Sequence, residues 1–152
     1  YNTSDAGIIN KDGYISVMSR TDDIINCAGH RISTGSIEEI LTNHNEIAEC
    51  AVVGMVDAIK GHVPIGLLVL NNSCTKSESE IENEVIKLVR DKLGAVASFK
   101  KAFVIKSLPK TRSGKILRST IAKILNNQDY NKPATIEDES TLNLVIKLKD
   151  KI

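Results

Sequence analysis

Apolar positions along the chain follow two rhythms, and together they divide it into strands and helices. Asp12-Gly13 is a turn pair, and the "YISVMSR" that follows alternates as a half-buried strand does. "DDIINCAGHRIS" reads as a second extended piece, broken at Gly29, where a bend or a close backbone approach is expected. "ECAVVGMV" and "VPIGLLVL" are unbroken apolar runs, the mark of strands buried on both faces, and "KAFVIKSL" returns as another strand.

Between these lie segments of helical period. "SESEIENEVIKLVRDKLG" is the clearest: Ser77 caps it, Glu80 stands three positions later, and Ile81, Val85, Leu88, Val89 and Leu93 form the stripe before Gly94 closes it. "STGSIEEILTNHN" predicts a shorter helix capped by Ser36 or Thr34, with Glu38 and Glu39 in its first turn and Ile37, Ile40 and Leu41 on its apolar face. "KILRSTIAKILNN" predicts a last one, and from Gln128 a polar tail reads as a docked arm or a loose linker. This alternation predicts an α+β fold: a small sheet of about three strands packed with helices, preceded by a short strand pair. The expected boundaries are a strand pair over 1–19, a junction at 20–23, a small domain over 24–127 and a tail over 128–152.

Composition narrows the picture only slightly. With 152 residues, 41% hydrophobic and 26% charged, the chain is long enough for a core without disulfides or metal. The three cysteines (Cys27, Cys50, Cys74) are widely spaced and read as free thiols, and the three histidines lack metal-ligand spacing, so no metal site is expected. No apolar run approaches the ~20 residues that span a bilayer. The chain opens inside a motif-like "YNTSDAG" and reads as a piece of a longer protein. The net charge is +1, yet from Ser98 to Lys123 there are eight Lys or Arg and no Asp or Glu.

That block contains "SLPKTRSGKILRS". A phosphate-binding Walker loop would need glycine where Pro109 stands and Ser or Thr where Ile116 stands, so that reading fails. What remains is Thr111, Ser113 and Gly114 leading Lys115 toward a helix, an arrangement read either as an anion cradle or as an exposed basic turn. "SRTDDIINCAGHRIS" adds Arg20, Asp22, Asp23, Gly29 and Arg31, and "YNTSDAG" adds Asp5. Singly, Asp5 is also a turn former, the Asp pair a solvated corner and Gly29 a bulge.

In this order and spacing the three stretches resemble signature motifs of the acyl-adenylate-forming enzymes, over residues 1 to about 127. The GHR form and the "IEDES" tail are most similar to short-chain acyl-CoA synthetases, especially the propionate-activating branch. One position departs from the family's Thr-Gly-Asp, reading Thr3-Ser4-Asp5, a turn variant that keeps the carboxylate.

The resemblance implies a C-terminal domain of an AMP-forming ligase that uses ATP with Mg2+ and coenzyme A as substrates and no tightly bound cofactor. It makes Lys115 the adenylation lysine, Asp5 and Arg20 contacts to the ribose, Arg31 a nucleotide-phosphate contact and Asp22 the hinge. Gly29 would flank the pantetheine passage, and Arg90 would meet the 3′-phosphate of CoA. The expected partners are a small carboxylate such as propionate or acetate, ATP, CoA and the chain's own N-terminal domain; without that domain the piece is expected to be inert. Mitochondrial matrix or cytoplasm is the expected compartment. The alternatives are a related domain serving another acceptor (a carrier protein, or a luciferase-like reaction) and a non-enzymatic anion-binding module; scarce aromatics, 3%, argue against nucleic acid.

Overall fold

The computed structural model describes residues 5–20, 23–149 and 151. Its first two strands, β1 (Asp5–Ile9) and β2 (Ile15–Arg20), form an antiparallel pair that turns through the Asp12-Gly13 corner. Asn10 shapes that corner: its side-chain oxygen accepts the N–H groups of Asp12 (3.0 Å) and Tyr14 (2.9 Å). Then follow β3 (Ile24–Cys27), β4 (His30–Ser33), α1 (Thr34–Thr42), β5 (Ile47–Asp57), β6 (Gly61–Leu70), α2 (Glu78–Leu93), β7 (Lys101–Val104), α3 (Arg118–Leu125) and α4 (Ser140–Lys149).

The α+β reading holds, and the main sheet has five strands among the described residues, in the order β4-β3-β6-β5 with β7 also on β6. Three of them, β5, β6 and β7, are the strands expected from the apolar runs. The other two come from "DDIINCAGHRIS", which folds back on itself as the β3–β4 hairpin and joins β6 through the single pairing Cys27–Gly61. β5 and β6 run antiparallel over almost their full length, whereas β6 and β7 are parallel, joined by the α2 crossover.

The unbroken apolar runs are explained by cover on both faces. Along β5, Cys50 and Val52 enter one core with Ile37 and Leu41 of α1 and Ile81, Val85 and Val89 of α2. Their neighbours Ala51 and Val53 enter a second core with Ile121, Ile124 and Leu125 of α3 and Leu142, Val145 and Leu148 of α4. Period-two geometry sends alternate residues to opposite faces, so a strand between two helical layers must be apolar throughout.

Local expectations are met at α2 and adjusted elsewhere. Ser77 and Glu80 form the full capping box and Gly94 is the C-cap. In α1 the cap position is Ser33, without a side-chain cap bond, so Thr34 and Ser36 lie inside the helix and no acidic residue occupies its first turn. α3 starts at Arg118, three residues after Lys115, because Lys115 and Ile116 belong to an extended arm, with Ile116 bridging Lys110. The tail is a docked arm: Ile136 is buried, and α4 packs its Leu142, Val145 and Leu148 against α3.

Candidate functional site

The stretch around Lys115 is a short hairpin. The Thr111 N–H donates to the Lys115 carbonyl (2.9 Å), the Gly114 N–H to the Thr111 carbonyl (2.8 Å), and the Leu117 N–H to the Pro109 carbonyl (2.9 Å). Gly114 closes the turn at φ +81°, where a side chain would be strained; this is the glycine position of a three-residue hairpin loop. The Thr111 hydroxyl accepts the Lys115 N–H (3.1 Å) and meets the Ser113 hydroxyl (2.9 Å). Of the two readings of this turn, anion cradle or exposed basic turn, these commitments leave few N–H groups for the first. The Thr111, Gly114 and Lys115 N–H groups and the Thr111 and Ser113 hydroxyls are engaged within the turn, the Arg112 N–H donates to Thr135, and the Lys115 side chain is exposed.

That side chain differs from the cations on either side of the turn, Lys110 and Arg118. Lys110 pairs with Glu49, and Arg118 is held bidentately by Glu38, through Nε at 2.8 Å and an NH2 group at 2.7 Å. This grip and its Coulombic attraction raise the Arg118 pKa further, against the opposing cost of burial. Lys115 is exposed and, among the described residues, its ammonium has neither an ion pair nor a hydrogen bond. Lys110 and Arg118 are thus held by carboxylates, whereas Lys115 and the exposed Arg112 carry no ion pair among the described residues. Of these two only Lys115 lines the neighbouring cleft.

Lys115 lines an open cleft of about 260 Å³ together with Arg20, Asp23, Thr111 and Arg118. Arg20 in turn stands directly across from Asp5 in the β1–β2 register. Arg20 and Lys115, far apart in sequence, therefore share one cleft, with Asp5 across the strand from Arg20. Arg31 is exposed on β4 and does not line this cleft, and Asp22 lies outside the described residues.

Neither Gly29 nor Arg90 lines this cleft. Gly29 is the second residue of the β3–β4 turn, after Ala28, and both have positive φ (+48° and +83°), as a type I′ turn demands. A Cβ at Gly29 would meet nothing within 4 Å, so the space beside it is open. The turn is tied to Lys60, whose carbonyl accepts the Ala28 N–H at 2.8 Å. Lys60 then lines a groove of about 380 Å³ with Arg90, Ser98, Phe99 and Lys100, its ammonium donating to the Ser98 hydroxyl at 2.9 Å. Sequence reasoning named Arg90 but not Lys60 or Lys100. Lys100 sat unassigned in the basic block, and nothing in "DAIKGH" announces Lys60 except its place in a turn whose N–H groups Asp57 accepts.

The cysteines are free thiols, Cys27 and Cys50 buried, and burial with the Glu38 carboxylate pushes the Cys50 thiol up to about 12, so it is inert at neutral pH. Among the described residues no three His, Cys, Asp or Glu side chains come together as a metal site, and no helix is long and apolar enough to cross a membrane.

Comparison with known proteins decides the family. The model described as the AMP-binding enzyme C-terminal domain matches residues 36–115, more than half of the chain. The chain belongs to that family. It is 52% identical over 140 residues to the mitochondrial acyl-CoA synthetase short-chain family member B of Dictyostelium discoideum, covering 92% of this chain and 20% of that protein. Against the mitochondrial family member 3 of Mus musculus it is 51% identical over 140 residues, with 92% of this chain and 20% of that protein covered. Among solved structures, the acyl-CoA synthetase of Brucella canis superposes with a TM-score of 0.63 at 32% identity, covering 80% of this chain and 22% of that one. The chain thus spans about a fifth of the length of these relatives.

Proposed function

We propose that the full-length protein carrying this chain is an AMP-forming short-chain acyl-CoA synthetase, with this chain as its mobile C-terminal domain. The observation that carries the reading is the unpaired Lys115 on its braced hairpin, sharing a cleft with Arg20, which stands across from Asp5. The names of the relatives, short-chain acyl-CoA synthetases, support it.

The chemistry asks for such a cation. In the first half-reaction a carboxylate oxygen attacks the α-phosphorus of ATP and pyrophosphate departs, so two anions must be brought together as charge gathers at the reacting phosphate. A preorganised ammonium there is worth about 3–4 kcal/mol, or ~10²–10³ in rate. Asp5 offers two acceptor oxygens to the ribose hydroxyls, while Arg20 and Arg31 offer planar donor forks to the nucleotide. Magnesium accompanies the polyphosphate as part of the substrate.

In the second half-reaction the sulfur of CoA attacks the acyl carbon and AMP leaves. The groove beside Gly29 suits this step: Lys60, Arg90 and Lys100 supply three positive charges for the 3′-phosphate of CoA, and the open side of Gly29 leaves room for the pantetheine arm. Two functional surfaces on one small domain fit a rotation about Asp22 that presents first Lys115 and then Gly29. Mitochondrial names among the relatives favour the mitochondrial matrix for the whole protein.

The deciding experiment is Lys115→Ala in the full-length protein, assayed separately for the two half-reactions. Acyl-adenylate formation is expected to fall ~10²–10³-fold, while thioester formation from supplied acyl-adenylate continues. Equal loss of both overturns the reading. Turnover of acids from acetate to butyrate in the same protein identifies the preferred substrate.

A further inference from the structure

The hairpin that carries Lys115 is not closed by its own two arms alone. Residues 133–137 of the tail lie along its outer side, turning where the Ile136 N–H donates to the Pro133 carbonyl (3.1 Å) and joining the hairpin through one bridge. The Arg112 N–H donates to the Thr135 carbonyl (2.9 Å), the Glu137 N–H donates to the Lys110 carbonyl (2.9 Å), and Thr111 bridges Ile136 between them. On the opposite arm, Lys110 bridges Ile116, next to Lys115. The order across this small ribbon is therefore tail, first arm, catalytic arm. The tail segment is itself anchored, with Ile136 only 6% exposed and α4 buried beyond it through Leu142, Val145 and Leu148.

We propose that residues 133–137 are a positioning strap for Lys115, setting the adenylation step without touching substrate. The proposal rests on the reading of Lys115 above. A two-stranded ribbon of this size is marginal by itself, and a third segment bonded to it and anchored in the core turns it into a defined platform. The need for one follows from Lys115 itself: no partner fixes its ammonium, so its placement depends on the backbone beneath it. Displacement of a catalytic group by about 1 Å costs on the order of 10²-fold in rate. The matched C-terminal-domain region ends at Lys115, so the strap lies beyond what that family model describes.

Glu137 allows a clean test because it is exposed and contributes its backbone N–H. Glu137→Pro deletes that donor, whereas Glu137→Ala removes the same side chain and keeps it. Both are made in the full-length protein, with Ile136→Ala as a second way of loosening the strap and Lys115→Ala as reference. Two measurements are compared: amide exchange over residues 110–117, and the rates of the two half-reactions.

In Glu137→Pro, exchange over 110–117 is expected to rise by about tenfold or more. Adenylation is expected to fall about ten- to a hundredfold and thioester formation from supplied acyl-adenylate to stay unchanged. Glu137→Ala should match the parent, and Ile136→Ala should follow the proline variant. If Glu137→Pro does not fold, Ile136→Ala carries the same comparison. Unchanged exchange overturns the strap, and raised exchange with unchanged adenylation overturns its positioning role. Equal loss of both half-reactions also overturns that role, reducing the segment to general stability. If Lys115→Ala leaves adenylation intact, the Lys115 reading fails and the positioning role fails with it, while the exchange data still decide whether the strap orders the hairpin.

Discussion

Two adjacent residues, Ala28 and Gly29, show how backbone geometry and function become entangled at a single turn. Both lie at positive φ, and only one is a glycine. An L side chain in this region costs about 1–2 kcal/mol, so Gly29→Ala is expected to destabilise by that amount. No clash adds to it, since a Cβ there meets nothing within 4 Å. Ala28→Asn places a residue tolerant of this region at the strained position and is expected to raise the melting temperature. If Gly29 also borders the path of CoA, Gly29→Ala in the full-length protein lowers the thioester half-reaction while adenylation continues. Thermal melts and the separated half-reactions check both parts. Uniform loss matching the loss of stability would leave Gly29 with a purely conformational role.

Among the elements, α2 is the one whose ends are chemically specified. The Ser77 hydroxyl accepts the Glu80 N–H, and the Glu80 carboxylate accepts from both the hydroxyl (2.7 Å) and the N–H (2.8 Å) of Ser77. Those bonds hold the Glu80 carboxyl below its ordinary value of 4.5. A carboxylate depressed in the folded state contributes stability that is present above the ordinary value and lost as pH falls through the folded one. Ser77→Ala is therefore expected to cost ~1 kcal/mol at neutral pH, with the gap to the parent narrowing below the ordinary carboxylate range. Urea titrations at neutral and acid pH measure both; a gap that does not change with pH counts against the capping box as its source. α2 was also the most legible element, since cap, stripe and terminating glycine are all local signals. By contrast, α4 carries Leu142, Val145 and Leu148 at helical spacing but follows a polar run that reads equally as docked arm or loose linker. The β3–β4 hairpin was hidden because its turn is Ala-Gly rather than Asn-Gly. In the site, the motif spacings named Lys115, Arg20 and Asp5, but not Lys60, which reaches its groove only because β3 pairs with β6.

At the scale of the whole molecule, the sheet separates two cores, and β5 lies at its edge with unpaired backbone groups that invite association. Two side chains cover them: the Asn126 amide accepts the Val56 N–H (2.7 Å) and donates to the Gly54 carbonyl (3.0 Å), and Glu38 accepts the Val52 N–H (2.8 Å). Glu38, on α1 in one layer, also grips Arg118, the first residue of α3 in the other. This pair, at 14% and 30% side-chain exposure, fastens the layers around the edge of the sheet, next to the hairpin that presents Lys115. Charge-assisted bonds of this kind contribute about 1.5–3 kcal/mol, so Arg118→Ala is expected to lose that much, and Arg118→Lys less, because one ammonium cannot reproduce a planar fork. Unfolding should remain a single transition, since β5 still contributes to both cores. A double-mutant cycle with Glu38→Ala isolates the link: if the pair joins the layers, the double variant is less destabilised than the two single losses added. Simple additivity would mean that α1 and α3 are held to the sheet independently, and that the edge of β5 is covered without being a joint between them.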